Sequence, residues 1–422
     1  MTGQAAPMTE GSIGKRITLF AMPIFLGNLF QQLYNTADSL IVGNFLGSNA
    51  LAAVSSSGSL IFMLIGFLSG MSIGAGVVIA RYFGAGDREN MDLAIHTTVA
   101  FGLAASVVMT LIGVLLSPQI LRLMATPEVV MGDSVTYLRI YFAGSVGFVM
   151  YNIFVGILQA VGDSRHPLYY LIVSSLVNIV LDIAFIAGFG MGVEGAAIAT
   201  VISQLVSALL CLIQLTCRQK NCRLYLRRIA FTPRLLKQII RMGLPSGLQN
   251  SIIAFANVVV QSNINSFGEL AMAGVGAYSK IEGFGFLPIT SFTMALTTFI
   301  GQNLGAGQYE RARKGAAFGI RATVALAELI GVAKARTSTL FFFLLAFSHA
   351  VSAVLRGAGR AVVPMTVMLV FWCVVRVGFL TVTVPLTHSI LMLYWVYPLT
   401  WALSSVTFLL YYKKADWLHS RF

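Results

Sequence analysis

Charge is what this chain has least of: only 10% of its 422 residues are Asp, Glu, Lys or Arg, against about 25% in a soluble domain. That excludes a soluble globular protein of this size. The four cysteines, Cys211, Cys217, Cys222 and Cys373, show neither a disulfide framework nor metal-ligand spacing, and reduced thiols are expected. His96, His166, His349, His388 and His419 likewise show no metal-ligand spacing. Ten-residue stretches of alternating polarity are missing, which excludes a membrane β-barrel. No Lys-Ser/Thr follows the glycine-rich stretches, so they are not phosphate loops. Adjacent spans carry no nucleophile–base or metal constellation, which argues against a membrane-embedded enzyme. The polar start runs through Lys15-Arg16 into an apolar run too long for a signal core, so no cleavable signal peptide is expected.

What is abundant is apolar: 57% of residues are hydrophobic and the mean hydropathy is +0.83. Runs of about 20 apolar residues, each long enough to cross a bilayer as a helix, recur from Ile17 to Tyr412. Lipid offers the backbone no hydrogen-bond partners, so the spans should be helices. The reading is an all-α polytopic membrane protein with twelve transmembrane helices, near 17–41, 52–80, 93–117, 134–161, 167–188, 195–217, 238–264, 271–302, 315–332, 338–358, 363–385 and 389–412. With the N-terminus inside, the inner segments hold 21 of the 28 basic residues and the outer loops three, Arg122, Lys334 and Arg336. This positive-inside bias puts both termini in the cytoplasm and accounts for the net charge of +13 without nucleic acid.

The chain repeats itself. "ARYFGAGDREN" (80–90) matches "GQNLGAGQYER" (301–311) at an offset of 221, and "GILQAVGDSRHP" (156–167) matches "AVLRGAGRAVVP" (353–364) at 197. Six spans per half make the repeats parallel, which predicts two six-helix lobes with the substrate path between them. The N-terminal lobe is 1–217, a basic cytoplasmic linker 218–237, and the C-terminal lobe 238–422. The difference in offsets, 24 residues, is missing from the second half between its third and fourth spans, near Val332 to Thr337.

Polar residues inside the spans carry the chemistry. In "NLFQQLYNTADSLIVG" (28–43), Asn28, Gln31, Asn35 and Asp38 fall on one helix face. An acid in a membrane helix faces a bundle interior or a water-filled cavity, so this stripe is expected to point into its lobe, with Asp38 a proton or ion site. Pro23, near the start of the span, can kink the helix and serve as a hinge. At an offset of 222, Pro23, Asn28 and Asn35 recur as Pro245, Asn250 and Asn257, whereas Asp38 meets Val260. The titratable chemistry is thus confined to the first half. There, Ser174, Asn178 and Asp182 share a face of span five, and Thr200, Ser203 and Gln204 a face of span six. Two buried carboxylates in one site titrate as a unit, and the same oxygens suit Na⁺. Arg376 lies inside span eleven and needs a partner, either structural or gating. Lys280 and Glu282 open span eight; Glu328 and Lys334 beside the seam suggest no role.

These residues resemble those of the multidrug and toxic compound extrusion (MATE) transporters. The resemblance rests on P-x₁₄-D in span one (Pro23, Asp38), N-x₃-D in span five (Asn178, Asp182), "GAAIAT" opening span six, and the paired "GAG" turns after spans two and eight. It implies a V-shaped antiporter expelling cationic or amphipathic drugs in exchange for H⁺ or Na⁺, in the bacterial cytoplasmic membrane and without a cofactor. A cation site at Asp38, Asn178, Asp182 and Thr200 is implied, with Tyr34, one turn before Asp38, in support beside Gln31 and Asn35. Span seven has only Glu269 beyond its end and span ten has no acid, so no cation site is expected in the second half. The pattern is nearest the DinF-like and MepA-like bacterial branches. The expected partners are small organic cations and the lipid bilayer, with a monomer as the working unit. A lipid-linked precursor flippase of the same superfamily is the alternative, favoured only by Arg376.

Overall fold

Gly47 interrupts an otherwise continuous run of helix. Its φ of 85° and ψ of −176° lie outside the helical region, dividing α1 (Ile13–Ala85) into two spans. The computed structural model describes residues 7–124, 126–218, 222–265, 267–334, 341–387, 389 and 391–419. The seam expected within 332–337 lies largely outside them, as do the side chains of Glu269, Lys280, Glu282 and Lys334. The described residues contain helices and no strand: α2 (Arg88–Leu123), α3 (Glu128–Ala143), α4 (Ser145–Ala160), α5 (Arg165–Asp182), α6 (Val193–Ile213), α7 (Pro233–Asn265), α8 (Glu269–Gly305), α9 (Tyr309–Lys334), α10 (Phe342–Gly357), α11 (Val362–Met368), α12 (Arg376–Thr387) and α13 (Leu391–Lys414).

Eight helices among the described residues are long and apolar enough to cross a membrane, and a ninth span forms if α3 and α4, bent by 50°, count as one. The bend falls at Gly144, where a β-carbon would strike the Val201 side chain. Helices α7, α9 and α10 are outside that count. Of these α9 carries Glu310, Arg311, Arg313, Lys314 and Arg321 along its length, and α10 has only 16 residues.

The repeat is written into backbone geometry. Gly86 and Gly307, one offset of 221 apart, both end their helices in the left-handed conformation, with φ of 70° and 69°. Only glycine adopts this without strain. Gly47 and Gly268, and Gly162 and Gly359, are repeat-related in the same way. Among the described residues helix α3 has no repeat-related counterpart. Residue 145, the start of α4, matches Phe342, the start of α10, at 197, so the seven residues 335–341 stand where the first half has 31 (114–144).

Each half plants its first helix in the other. Ile17, Phe20 and Ile24 of α1 are buried in an apolar cluster with residues of α8, α9, α10 and α13. Leu235, Ile239 and Met242 of α7 are buried among residues of α1, α2 and α4. Between them, Gly70 and Gly74 of α1 meet Gly247 and Gly243 of α7, backbone against backbone. Small residues let membrane helices approach closely, where packing rather than water expulsion drives association. The contact between the halves continues to the Ser251 hydroxyl, which donates to the Met63 carbonyl at 3.3 Å. Gln32, Asn35 and Thr36 on α1 and Asn257 and Gln261 on α7 are exposed. Such polar groups avoid lipid in a membrane span.

The basic linker is packed rather than slack. His96 on α2 accepts a hydrogen bond from the Tyr225 backbone N–H at Nε2 (3.1 Å), so its Nδ1–H donates to the Asp92 carbonyl at 2.7 Å. The Thr232 N–H donates to the Thr97 hydroxyl at 3.2 Å. All four cysteines are free. Cys222, in the linker, is buried, which pushes its thiol up to about 12 and keeps it un-ionised.

Candidate functional site

Asp38 and Asp182 meet. Asp38 sits in the second half of the first span and Asp182 at the end of α5, where the helix passes into a π turn, Ile183–Gly188. Such turns shift a helix's register and are frequent at functional sites. The two carboxyl groups lie against each other, close enough for one proton to serve both. That contact needs one proton between them, since an ionised carboxylate only accepts. Asp182 and Asn178, one turn earlier on the same face, are both 0% exposed. Apart from the other carboxyl of the pair, neither Asp182 oxygen, neither polar atom of the Asn178 amide, nor Oδ1 of Asp38 has a hydrogen-bond partner among the described residues. Buried polar groups are normally satisfied, so this cluster has unused capacity for a proton or an oxygen-coordinated cation.

Two tyrosines and an amide complete the surroundings. Tyr34 lies beside Gln204 of α6 and within electrostatic reach of both acids. Tyr137 of α3, 6% exposed, also lies within reach of Asp38, Asp182 and Tyr34, and stacks on Tyr141 with ring centroids 6.3 Å apart. Thr200 is buried one turn before Gln204, with its carbonyl accepting from the Ser203 hydroxyl at 2.8 Å. No hydrogen bond from Thr200 to either acid is present. Arg139 is exposed and paired with neither acid, and among the described residues no ion pair neutralises them. No group of three or more His, Cys, Asp or Glu able to hold a metal ion occurs among the described residues.

The rest of the polar stripe lies elsewhere. The Asn28 side-chain amide donates to the Ser291 hydroxyl of α8 at 3.3 Å, and its counterpart Asn250 donates to the Gly66 carbonyl at 3.0 Å. Both tie the halves together. Gln31 is half-buried, Asn35 is exposed, and Pro23 is half-buried in α1. Tyr137 had no signal in the sequence beyond its i, i+4 spacing from Tyr141. Arg376, just after another π turn (Leu369–Val375), is 2% exposed. Its guanidinium donates to the Thr400 hydroxyl at 2.9 Å and lies over the rings of Tyr397 and Trp372, 4.5 and 5.3 Å from their centroids.

A helical membrane protein of two repeat-related halves, with an unneutralised acid pair buried in one of them, has the build of a transporter. The MatE family model matches residues 23–184 and 245–335. A probable multidrug resistance protein, YoeA of Bacillus subtilis, is 32% identical over 316 residues, 72% of this chain and 68% of that protein. The probable multidrug resistance protein NorM of Thermotoga maritima is 28% identical, covering 84% and 82%. Among solved structures, the outward-facing conformation of a MATE family multidrug resistance transporter of the MOP superfamily superimposes with a TM-score of 0.87, at 25% identity and 98% coverage of both chains. The chain belongs to the MATE family of bacterial multi-span membrane transporters, whose members are not enzymes.

Proposed function

We propose that this protein is a multidrug efflux antiporter that expels cationic or amphipathic organic compounds in exchange for H⁺ or Na⁺ by alternating access. The similarity to proteins named for multidrug resistance supports the substrate class. The observation that carries the exchange is the contact between the Asp38 and Asp182 carboxyls, buried without a basic partner. Two like charges in contact demand a cation, and one H⁺ or Na⁺ meets that demand. Asn178 offers its carbonyl oxygen, and Tyr34 and Gln204 hold the wall of the site.

The anchoring of α1 supports a mechanical link. Ile17, Phe20 and Ile24 are fixed in the cluster of the second half, while Val42, beyond Asp38, is buried against Tyr137, Ile186 and Ala196 of the first. Pro23 lies within this anchored segment, before Ile24, where its ring leaves the Leu19 carbonyl without an intrahelical partner. Cation binding draws the second part of the helix onto α5, and Pro23 absorbs the change in angle. Coupling then requires that the cation bind the two states unequally, and each charge carried inward gains about 2.3 kcal/mol per 100 mV. The protein works in the bacterial cytoplasmic membrane as a monomer, with both termini in the cytoplasm. Arg376, the one residue favouring a flippase, is engaged by Thr400 and two aromatic rings, which leaves that alternative without support.

The test is efflux of a fluorescent organic cation from proteoliposomes under an imposed pH gradient and, separately, an imposed Na⁺ gradient. Flux driven by one gradient names the coupling ion. Equal flux with no gradient at all contradicts antiport.

A further inference from the structure

A small cavity of about 70 Å³ lies between the halves, on the side of the GAG turns. Its walls come in repeat-related pairs. Ile73 faces it with Met294, Gly76 with Thr297 and Val77 with Thr298, each pair one offset of 221 apart, and Gln159 with Arg356 at 197. The cavity therefore straddles the axis that relates the halves, far along α1 from Asp38. The two sides differ in one decisive respect: where the first half presents the amide of Gln159, the second presents the guanidinium of Arg356.

That guanidinium is unmet. Arg356 forms no ion pair and no hydrogen bond with any described residue, and its Nε is buried without a partner. No acidic residue lines the cavity. Several neighbours are already committed: the Ser72 hydroxyl donates to the Asn152 carbonyl at 2.7 Å and the Thr297 hydroxyl to the Thr293 carbonyl at 2.9 Å. The Gln159 amide and the Thr298 hydroxyl, which also line the cavity, have no side-chain hydrogen bond to a described residue. A fixed positive charge flanked by two neutral donors recognises an anion. A guanidinium whose Nε is buried is costly to leave unpaired. The volume sets the size of the guest. Organic ligands of drug size occupy pockets of several hundred Å³, whereas this one holds a monovalent ion with its residual water.

We propose that this cavity binds a small inorganic monovalent anion, chloride in ordinary salt, which neutralises Arg356 at the seam between the two halves. Both halves contribute walls, so the anion is held only while they are in contact there, and it stabilises that contact. Nothing in this assignment depends on Asp38 and Asp182 or on the identity of the exported compound.

The experiment uses the full chain in detergent. Crystals grown in sodium bromide are expected to show an anomalous scattering peak beside Arg356, absent in R356Q, which copies the Gln159 of the first half, and weaker in R356K. In parallel, replacing gluconate by chloride at equal ionic strength is expected to raise the midpoint of thermal unfolding of the wild type by about 2–4 °C and to leave R356Q unmoved. No bromide peak in the wild-type cavity overturns the proposal. So does a chloride response of the same size in R356Q. If R356Q does not fold, the bromide peak in the wild type and its weakening in R356K decide the matter.

Discussion

Gly305 lies against the backbone carbonyl oxygen of Arg81, and a β-carbon added at 305 would overlap it. Its repeat-related partner, Gly84, stands in the same relation to the carbonyl of Gln302. The seam between the halves is closed by two reciprocal contacts of glycine on backbone. Backbone cannot rotate aside as a side chain can. Gly84→Ala or Gly305→Ala is therefore expected to force the halves apart at this end, at the upper part of the roughly 1–3 kcal/mol that overpacking costs. Thermal unfolding in detergent measures the loss. The control is Gly132→Ala, where nothing lies within 4 Å and no such loss is expected.

Glu328 has a role that its place in the sequence does not suggest. Its Oε1 accepts from the backbone N–H of Phe343 at 3.1 Å, in the first turn of α10. A carboxylate there meets an orphan donor and the positive end of the helix dipole. This bond tethers α10 to α9 across the shortened connection, where the first half has α3. Glu328→Ala is expected to cost about 0.5–2 kcal/mol, and Glu328→Gln less, since the amide oxygen keeps the bond. Chemical denaturation of both variants against the wild type checks the order.

Asp87 caps α2 just after the first GAG turn. Its Oδ1 accepts from the Asn90 N–H at 3.0 Å and its Oδ2 from the Asn90 amide at 2.7 Å. These bonds, with a smaller contribution from nearby Arg234, hold the carboxyl below the ordinary carboxylate value, about 3.9. A group depressed on folding stabilises the native state above its unfolded value, and the contribution is lost as pH falls through the folded one. Asp87→Ala is expected to destabilise the protein by about 0.5–1 kcal/mol at pH 7. The gap from the wild type should stay constant down to about pH 5 and narrow below about pH 4. Denaturation midpoints of the pair along a pH series measure it.

How far the sequence carries the account differs from element to element. The helical class was legible because apolar runs of membrane length leave the backbone no other choice, and the repeat because glycines that need a left-handed turn, such as Gly86 and Gly307, cannot drift. The spacing of Asn178 and Asp182 and of Tyr34 and Asp38 gives the face each occupies on its own helix. Periodicity does not say which neighbour that face meets. So Asn28, on the same stripe as Asp38, turns out to bond Ser291 in the other half. Tyr137 was hidden for the same reason: a tyrosine in an apolar helix announces packing, and only the bend at Gly144 and the fit of α3 bring it to the acids. Arg356 read as one more inward-side charge, because the cavity it lines is made by four helices distant in sequence.

The central claim is that Asp38 and Asp182 act as one cation site. The most direct test is gradient-driven efflux from proteoliposomes by Asp38→Asn, Asp182→Asn and the double variant, with each protein first shown to be folded and reconstituted. The account predicts that either single substitution abolishes coupled efflux and that the double variant loses no more than either single one, because one proton or ion needs both carboxyls. Coupled efflux at the wild-type rate in Asp38→Asn would contradict it and leave the acid pair a structural contact.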